Sequence, residues 1–160
     1  MQIEVDENSI IQANSQFWEQ MLAMKFEAMS SPDQFCIGSG HFLGMVEFSG
    51  AWTGSIEIRM NDQLTRHATA AMLMQPLETV READAIDAAK EIANMIAGGI
   101  KSSLPRPCAM TVPEARVELE GYCGQMRDRR SVAVAFQQGA GEMIVSVLMD
   151  ARLQADCDRS

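Results

Sequence analysis

Residues 84–104 separate into an apolar and a polar face when they are placed on a helix at about 100° per residue. The apolar face gathers Ala85, Ala89, Ile92, Ala93, Ile96, Ile100 and Leu104. The polar face gathers Asp84, Asp87, Glu91, Asn94, Gly98, Lys101 and Ser102. This pattern predicts a long amphipathic helix that packs one side against a core. Because Asn94, Gly98 and Gly99 are poor helix formers, their presence indicates a demand other than folding.

The same periodicity predicts two earlier helices, one on each side of a β-hairpin. Asn61 or Asp62 is expected to cap the second of them, over residues 63–74. The long helix starts either at a capping box over residues 79–82 or at Asp84, and we expect it to run up to Pro105. The first helix is expected to begin with Ser9 as its N-cap, to run to residue 24, and to bury a face made of Ile10, Ile11, Asn14, Phe17, Met21 and Leu22.

Six segments have the alternation or composition of β-strands, and most are bounded by glycine-rich or polar turns. They are residues 25–29, 42–48, 55–60, 115–121, 131–137 and 143–149. Two pairs of them, around residues 49–54 and 139–141, are spaced as antiparallel hairpins. The predicted fold class is therefore α+β, with three helices, two of them long, packed on an antiparallel sheet of about six strands.

Composition narrows the class of protein. With 160 residues, of which 47% are hydrophobic, we expect one compact domain over residues 1–160 that ends in a polar tail at 151–160. A net charge of −9 argues against binding to nucleic acid and to an anionic membrane surface. No apolar span and no basic leader are evident, so a cytoplasmic protein is expected. Cysteines 36, 108, 123 and 157 lack metal-site spacing, which favours a reduced chain without a metal.

Common enzyme motifs are missing from the sequence: no phosphate loop, dinucleotide fingerprint or nucleophile elbow is present. His41 and His67 lie apart from any catalytic or metal-binding pattern and are interpreted as surface or hydrogen-bonded core residues. The remaining candidate is Glu91-x-x-Asn94, two polar groups one helical turn apart. The spacing alone also fits a solvated helix face on which Lys90 or Lys101 screens Glu91.

The residues around this pair extend the pattern. Residues 85–105, AIDAAKEIANMIAGGIKSSLP, resemble the signature helix of the CheX-type chemotaxis phosphatases, relatives of CheC and FliY. That helix carries an E-x-x-N pair followed by a small-residue step and a lysine. The resemblance extends at the level of pattern over residues 10–149. Two-site relatives repeat the pair on the first helix, where this chain has Glu19-x-x-Leu22, so it resembles the single-site CheX branch.

The resemblance implies a phosphatase that acts on the aspartyl phosphate of a CheY-like receiver domain, in chemotaxis or a related two-component pathway. It implies that Glu91 and Asn94 are catalytic, and that the expected partner-binding residues are Asp87, Met95, Gly98 and Lys101. It also implies a homodimer built through the sheets and no cofactor of the chain's own, with Mg²⁺ held by the receiver. Two alternatives remain: a protein that binds a receiver or a flagellar switch component without catalysis, and a dimeric scaffold.

Overall fold

The computed structural model describes residues 5–29, 31–128 and 130–150. These ranges contain three α-helices, which are α1 (Glu7–Leu22), α2 (Asp62–Leu73) and α3 (Glu82–Lys101). The strands are β1 (Glu27–Ala28), β2 (Cys36–Ile37), β3 (His41–Gly50), β4 (Gly54–Met60), β5 (Cys108–Met110), β6 (Glu114–Glu118), β7 (Tyr122–Cys123), β8 (Ser131–Gln138) and β9 (Gly141–Met149). The predicted tail at 151–160 lies outside the described residues.

One antiparallel sheet of seven strands organises the fold. Its order is β1-β8-β9-β4-β3-β5, and β6 also pairs with β3. The predicted hairpins are β3–β4 and β8–β9, and pairing of β4 with β9 joins them into a continuous surface. The α+β architecture is confirmed. The short strands β2, β5 and β7 were not predicted, because two or three residues are too few to show a period of two.

The N-cap of α1 is Asp6, so the prediction of Ser9 is wrong. The Asp6 carboxylate accepts hydrogen bonds from the backbone N–H of Ser9 at 2.8 Å and from its hydroxyl at 2.9 Å. These bonds, first of all the one from the backbone, lower the pKa of Asp6. Ser9 is thus the third residue of the helix, where its N–H needs an acceptor.

The other helix starts follow the same logic. Asn61 caps α2, as one of the two predicted alternatives had it, and accepts a hydrogen bond from Leu64 N–H at 3.0 Å. Both predicted starts of α3 are wrong, since the helix begins at Glu82. The Asp84 carboxylate accepts hydrogen bonds from the Arg81 guanidinium and from the Arg81 backbone N–H, each at 3.2 Å, and these bonds, first of all the one from the guanidinium, lower the pKa of Asp84.

Two details of the predicted helix faces need correction. Met21, which was predicted to be buried, is 57% exposed. Trp18, which was not in the predicted face, is wholly buried. The C-terminus of α3 is Lys101 and not a residue next to Pro105. The Ser102 hydroxyl donates to Gly99 O at 2.7 Å, and the chain tightens into turns over residues 102–104. The residue before a proline disfavours the helical conformation, so the helix does not continue to Pro105.

The main core lies between the sheet and the helices, with α3 lying across β3. Gly44 marks a close approach of the helix to the sheet: a Cβ there would lie 2.8 Å from Ala89 O and 2.9 Å from Ala93 Cβ. Because a larger residue at Gly44 would push the helix off the sheet, β3 fixes the height at which α3 is held. α1 and α2 flank α3 on this face of the sheet.

The opposite face of the sheet has a second, smaller core. Alternation along β8 and β9 directs one set of side chains to the helices and the other set away from them. The residues that form this second core are Phe35, Ile37, Ala133, Ala135 and Ile144, with Tyr122 packed against them. The segments containing β2 and β7 cover this face.

Candidate active site on helix α3

Glu91 and Asn94 lie one turn apart on the same side of α3. Glu91 is exposed and Asn94 is partly exposed, so solvent reaches both side chains. The predicted partner-binding residues lie on the same side of the helix, exposed or partly so: Asp87, Met95, Gly98 and Lys101. The structure thus brings all six predicted site residues onto one surface, which we call the α3 outer face, and their roles remain predictions.

Neither Glu91 nor Asn94 has a side-chain hydrogen bond or ion pair with any of the residues that the structure describes. Lys90, one of the two expected to screen Glu91, instead has its ammonium group 3.9 Å from the Asp87 carboxylate. Lys101 is ten residues further along the helix, about 15 Å away at 1.5 Å per residue. The carboxylate and the amide are therefore available for an external partner.

The inner side of α3 is fully packed, which holds the outer face in place. Its buried residues are Ala85, Ala88, Ala89, Ile92, Ala93, Ile96, Ala97 and Ile100. Burial of each isoleucine contributes about 1.5–3 kcal/mol. Ala88 is only 6% exposed and belongs to this packed side.

The two adjacent glycines of α3 have different surroundings. A Cβ at Gly99 would lie 3.2 Å from Ala13 Cβ, so the small residue lets α1 approach α3. A Cβ at Gly98 would meet no atom within 4 Å. Packing therefore explains Gly99 and leaves Gly98, on the outer face, without a reason inside the fold.

A shallow cavity adjoins the C-terminal end of the α3 outer face. Its lining includes Gly98, Lys101 and Ser102 of α3 together with Arg106 and Pro107 of the following turn. Sequence reasoning missed Arg106, because only the turn after α3 brings this residue back beside the helix. The two cations give this end of the outer face a positive character in a chain of net charge −9.

Within residues 5–29, 31–128 and 130–150, no group of three or more His, Cys, Asp or Glu residues is placed to hold a metal ion. None of the helices in those ranges is long and apolar enough to cross a membrane.

The fold and the outer face together define a class of protein: an α+β domain that displays a Glu-x-x-Asn pair on a surface helix backed by an antiparallel sheet. Residues 42–137 match the family model of the chemotaxis phosphatase CheX. The match spans more than half of the 160 residues and includes all of α3, and the chain belongs to the CheX family.

Several solved structures have the same fold as this chain. The chemotaxis protein CheX from Vibrio vulnificus has a TM-score of 0.72 at 18% identity, covering 94% of this chain and 99% of that one. The CheX in a CheX–CheY–BeF₃–Mg²⁺ complex from Borrelia burgdorferi has a TM-score of 0.61 at 17% identity, covering 92% and 99%. FliY from Thermotoga maritima has a TM-score of 0.59 at 12% identity, covering 94% and 88%. At these identities the likeness establishes the fold. A comparison with curated proteins finds no match.

Proposed function

We propose that this protein accelerates hydrolysis of the aspartyl phosphate of a CheY-like receiver domain by inserting Glu91 and Asn94 into the receiver's active site. The observation that carries the proposal is the Glu91–Asn94 pair, which solvent reaches, which has no partners among the described residues, and which is held on a helix whose other side is buried. Membership in the CheX family supports the reaction. The CheX–CheY complex of the B. burgdorferi relative supports the choice of partner.

In this proposal Asn94 orients the attacking water. Its amide oxygen accepts a hydrogen bond from the water, and its amide N–H groups can donate to the phosphoryl oxygens. The water then keeps a lone pair directed at phosphorus, in line with the bond to the receiver's aspartate. Phosphoryl transfer depends mainly on position and electrostatics, so Asn94 does not need to act as a base.

Glu91 sets the register of the insertion. Its carboxylate would accept a charge-assisted hydrogen bond from the lysine in the receiver's active site, one turn from the water site. Because α3 is rigidly backed, this single bond would fix Asn94 along the direction of attack. Mg²⁺ belongs to the receiver in this scheme, and the α3 outer face supplies only positioning groups.

The energy required is modest. An acceleration of ~10²-fold over the receiver's own hydrolysis corresponds to about 2.7 kcal/mol of transition-state stabilisation. One oriented water in a fixed geometry is sufficient for an effect of this size. No nucleophile on this chain is needed.

The test is release of phosphate from a phosphorylated CheY-like receiver, with and without this protein. We expect Asn94→Ala to abolish the acceleration while binding to the phosphorylated receiver is mostly retained. Gln16→Ala is the matched control, because it removes an exposed side-chain amide from α1. If the Asn94→Ala variant also fails to bind, Asn94 is an anchor and the water-orienting role is wrong.

The same experiment separates the alternative functions. Binding to the receiver without acceleration by the unaltered chain would favour a non-catalytic receiver- or switch-binding protein. Failure to bind any phosphorylated receiver would favour a scaffold. The proposed homodimer is tested independently by sedimentation, and a monomer at all concentrations would reject it.

A further inference from the structure

Cys36 and Cys123 are paired in the two-stranded β2–β7 sheet, which covers the face of the main sheet opposite the helices. In the antiparallel register of β2 and β7, Cys36 pairs with Cys123 and Ile37 with Tyr122. The backbone N–H of Gly124 donates to Phe35 O at 2.7 Å, so the neighbouring pair is the hydrogen-bonded one. The cysteines therefore occupy a non-hydrogen-bonded pair, in which Cα atoms are about 4.5 Å apart. A disulfide accommodates this separation.

The thiols are in contact and are accessible. The two sulfur atoms are 2.6 Å apart, and either thiol can donate to the other. Cys36 is exposed and Cys123 is partly exposed, so a small oxidant can reach the pair. Cys108 is buried and its thiol donates to Trp52 O at 3.5 Å, which places it in a different environment.

Contacts next to the pair hold the two segments together without a covalent link. The Arg127 guanidinium lies 3.0 Å from the Asp33 carboxylate. Gly124 packs so closely on the Pro32 carbonyl that no Cβ would fit. Because these contacts fix both strands, the thiols meet in the native fold and not by chance collision of loops.

We propose that Cys36 and Cys123 form an oxidisable dithiol site whose co-reactant is a small-molecule disulfide such as oxidised glutathione. One cysteine thiolate attacks a sulfur of glutathione disulfide, which releases one glutathione and leaves a mixed disulfide. The second cysteine thiolate then attacks the protein sulfur of that mixed disulfide and releases the second glutathione. Two protein thiols lose two electrons, the glutathione disulfide gains them, and the two protons end on the glutathione thiols.

The site is one of modification and not of catalysis. The hydrogen bond with Cys123 raises the pKa of the Cys36 thiol, whereas catalytic cysteines depend on a lowered pKa. The raised pKa keeps Cys36 in its thiol form, in keeping with the reduced state that the sequence predicts. Oxidation would join positions 87 residues apart and tie the two covering segments to each other over the second core. α3 lies on the other face of the sheet, so we expect the α3 outer face to be unaffected.

The test is to incubate the reduced full chain with glutathione buffers of increasing oxidised fraction. We expect loss of two titratable thiols, a mass decrease of two hydrogen atoms, a Cys36–Cys123 cross-linked peptide in a non-reducing digest, and a higher thermal midpoint. Cys36→Ser should abolish all four changes, while Cys157→Ser, which keeps both thiols, should retain them.

Three results would overturn the proposal. They are a cross-link that involves Cys108 or Cys157, a glutathione adduct that persists on Cys36, and equal rates of internal oxidation in native and urea-unfolded chain. The last comparison is informative because the native fold is what holds the two thiols together. Receiver phosphatase activity measured before and after oxidation should be equal, whichever function the α3 outer face has.

Discussion

Asn14 on α1 and Asn94 on α3 are the same residue type in the interiors of two neighbouring helices, yet their surroundings are opposite. Asn14 is wholly buried, and the Trp18 indole N–H donates to its amide oxygen at 2.9 Å. Asn94 is partly exposed and has no such bond among the described residues. Both residues carry the same modest helix-propensity penalty against alanine, about 0.7 kcal/mol or less.

The difference shows which polar residue the fold itself accounts for. A buried amide that accepts a hydrogen bond from a buried tryptophan is part of the core, although its own Nδ2 is without a partner in the described part of the chain. An exposed amide without a partner gains nothing from folding. A role in an encounter with another molecule is therefore inferred for Asn94 and not for Asn14.

The largest effects are expected when each of the two asparagines is replaced by alanine. Asn94→Ala is expected to lose the whole acceleration, ~10²-fold, while the free energy of unfolding rises by no more than about 0.7 kcal/mol. Asn14→Ala is expected to lower the free energy of unfolding by about 1–3 kcal/mol, because the Trp18 N–H loses its acceptor. Phosphate release and urea unfolding of both variants measure this. Equal loss of stability in the two variants would remove the distinction between them.

A charge reversal on each helix is expected to have the next largest effect. Glu91→Lys would place a cation against the receiver's lysine and weaken both binding and acceleration at least tenfold, about 1.4 kcal/mol. Glu19→Lys makes the same change at an exposed position of α1, one turn before Leu22, and should leave both quantities as they are. Titration of each variant with a phosphorylated receiver gives the comparison. A matching loss in Glu19→Lys would show that net charge, and not the α3 outer face, governs binding.

Sequence periodicity was sufficient for α3 and both hairpins because each has many residues with one buried side. In α3 the apolar positions recur along the whole helix, and the predicted inner residues Ala85, Ile92 and Ile96 are all wholly buried. The site itself needed more than spacing. Without the resemblance of the surrounding residues to a family, Glu91 and Asn94 would be interpreted as part of a solvated helix face.

Features that depend on pairing of distant segments were not predictable. The β2–β7 pair joins two-residue strands 87 positions apart, which no local pattern can indicate. Arg106 reaches the α3 outer face only because of the turn after that helix. Helix ends were wrong by a few residues, since Asp6 and Ser9 are both good capping residues and only the backbone path decides between them.

His41 adds a second buried polar residue to the comparison, and its contribution to the free energy of unfolding should depend on pH. The Arg59 guanidinium donates to Nε2 at 2.9 Å, so Nε2 is the acceptor and Nδ1–H donates to Gly38 O. Burial lowers the pKa of His41 below its ordinary 6.5. The hydrogen bond to Gly38 O raises this pKa and the positive charge of Arg59 lowers it, and the net shift is downward.

Because the pKa of His41 is lower in the folded chain, unfolding takes up a proton as pH falls below 6.5. The contribution of His41 to stability is therefore full above that pH and is lost on acidification. Urea unfolding at several pH values in this range measures this contribution. The His41→Gln variant should show a smaller change in the free energy of unfolding with pH. An unchanged slope in that variant would show that another group titrates.

The smallest expected effects come from the adjacent glycines, and they compare the two sides of α3 directly. Gly98→Ala should raise the free energy of unfolding by up to about 1 kcal/mol, because the new methyl group meets open space and alanine is the better helix former. Gly99→Ala should gain less, since its methyl group would press on Ala13 at 3.2 Å. If the α3 outer face docks on a receiver, Gly98→Ala will weaken binding although it stabilises the chain, and Gly99→Ala will not. A stabilised Gly98→Ala variant with unchanged receiver affinity would place the docking surface elsewhere.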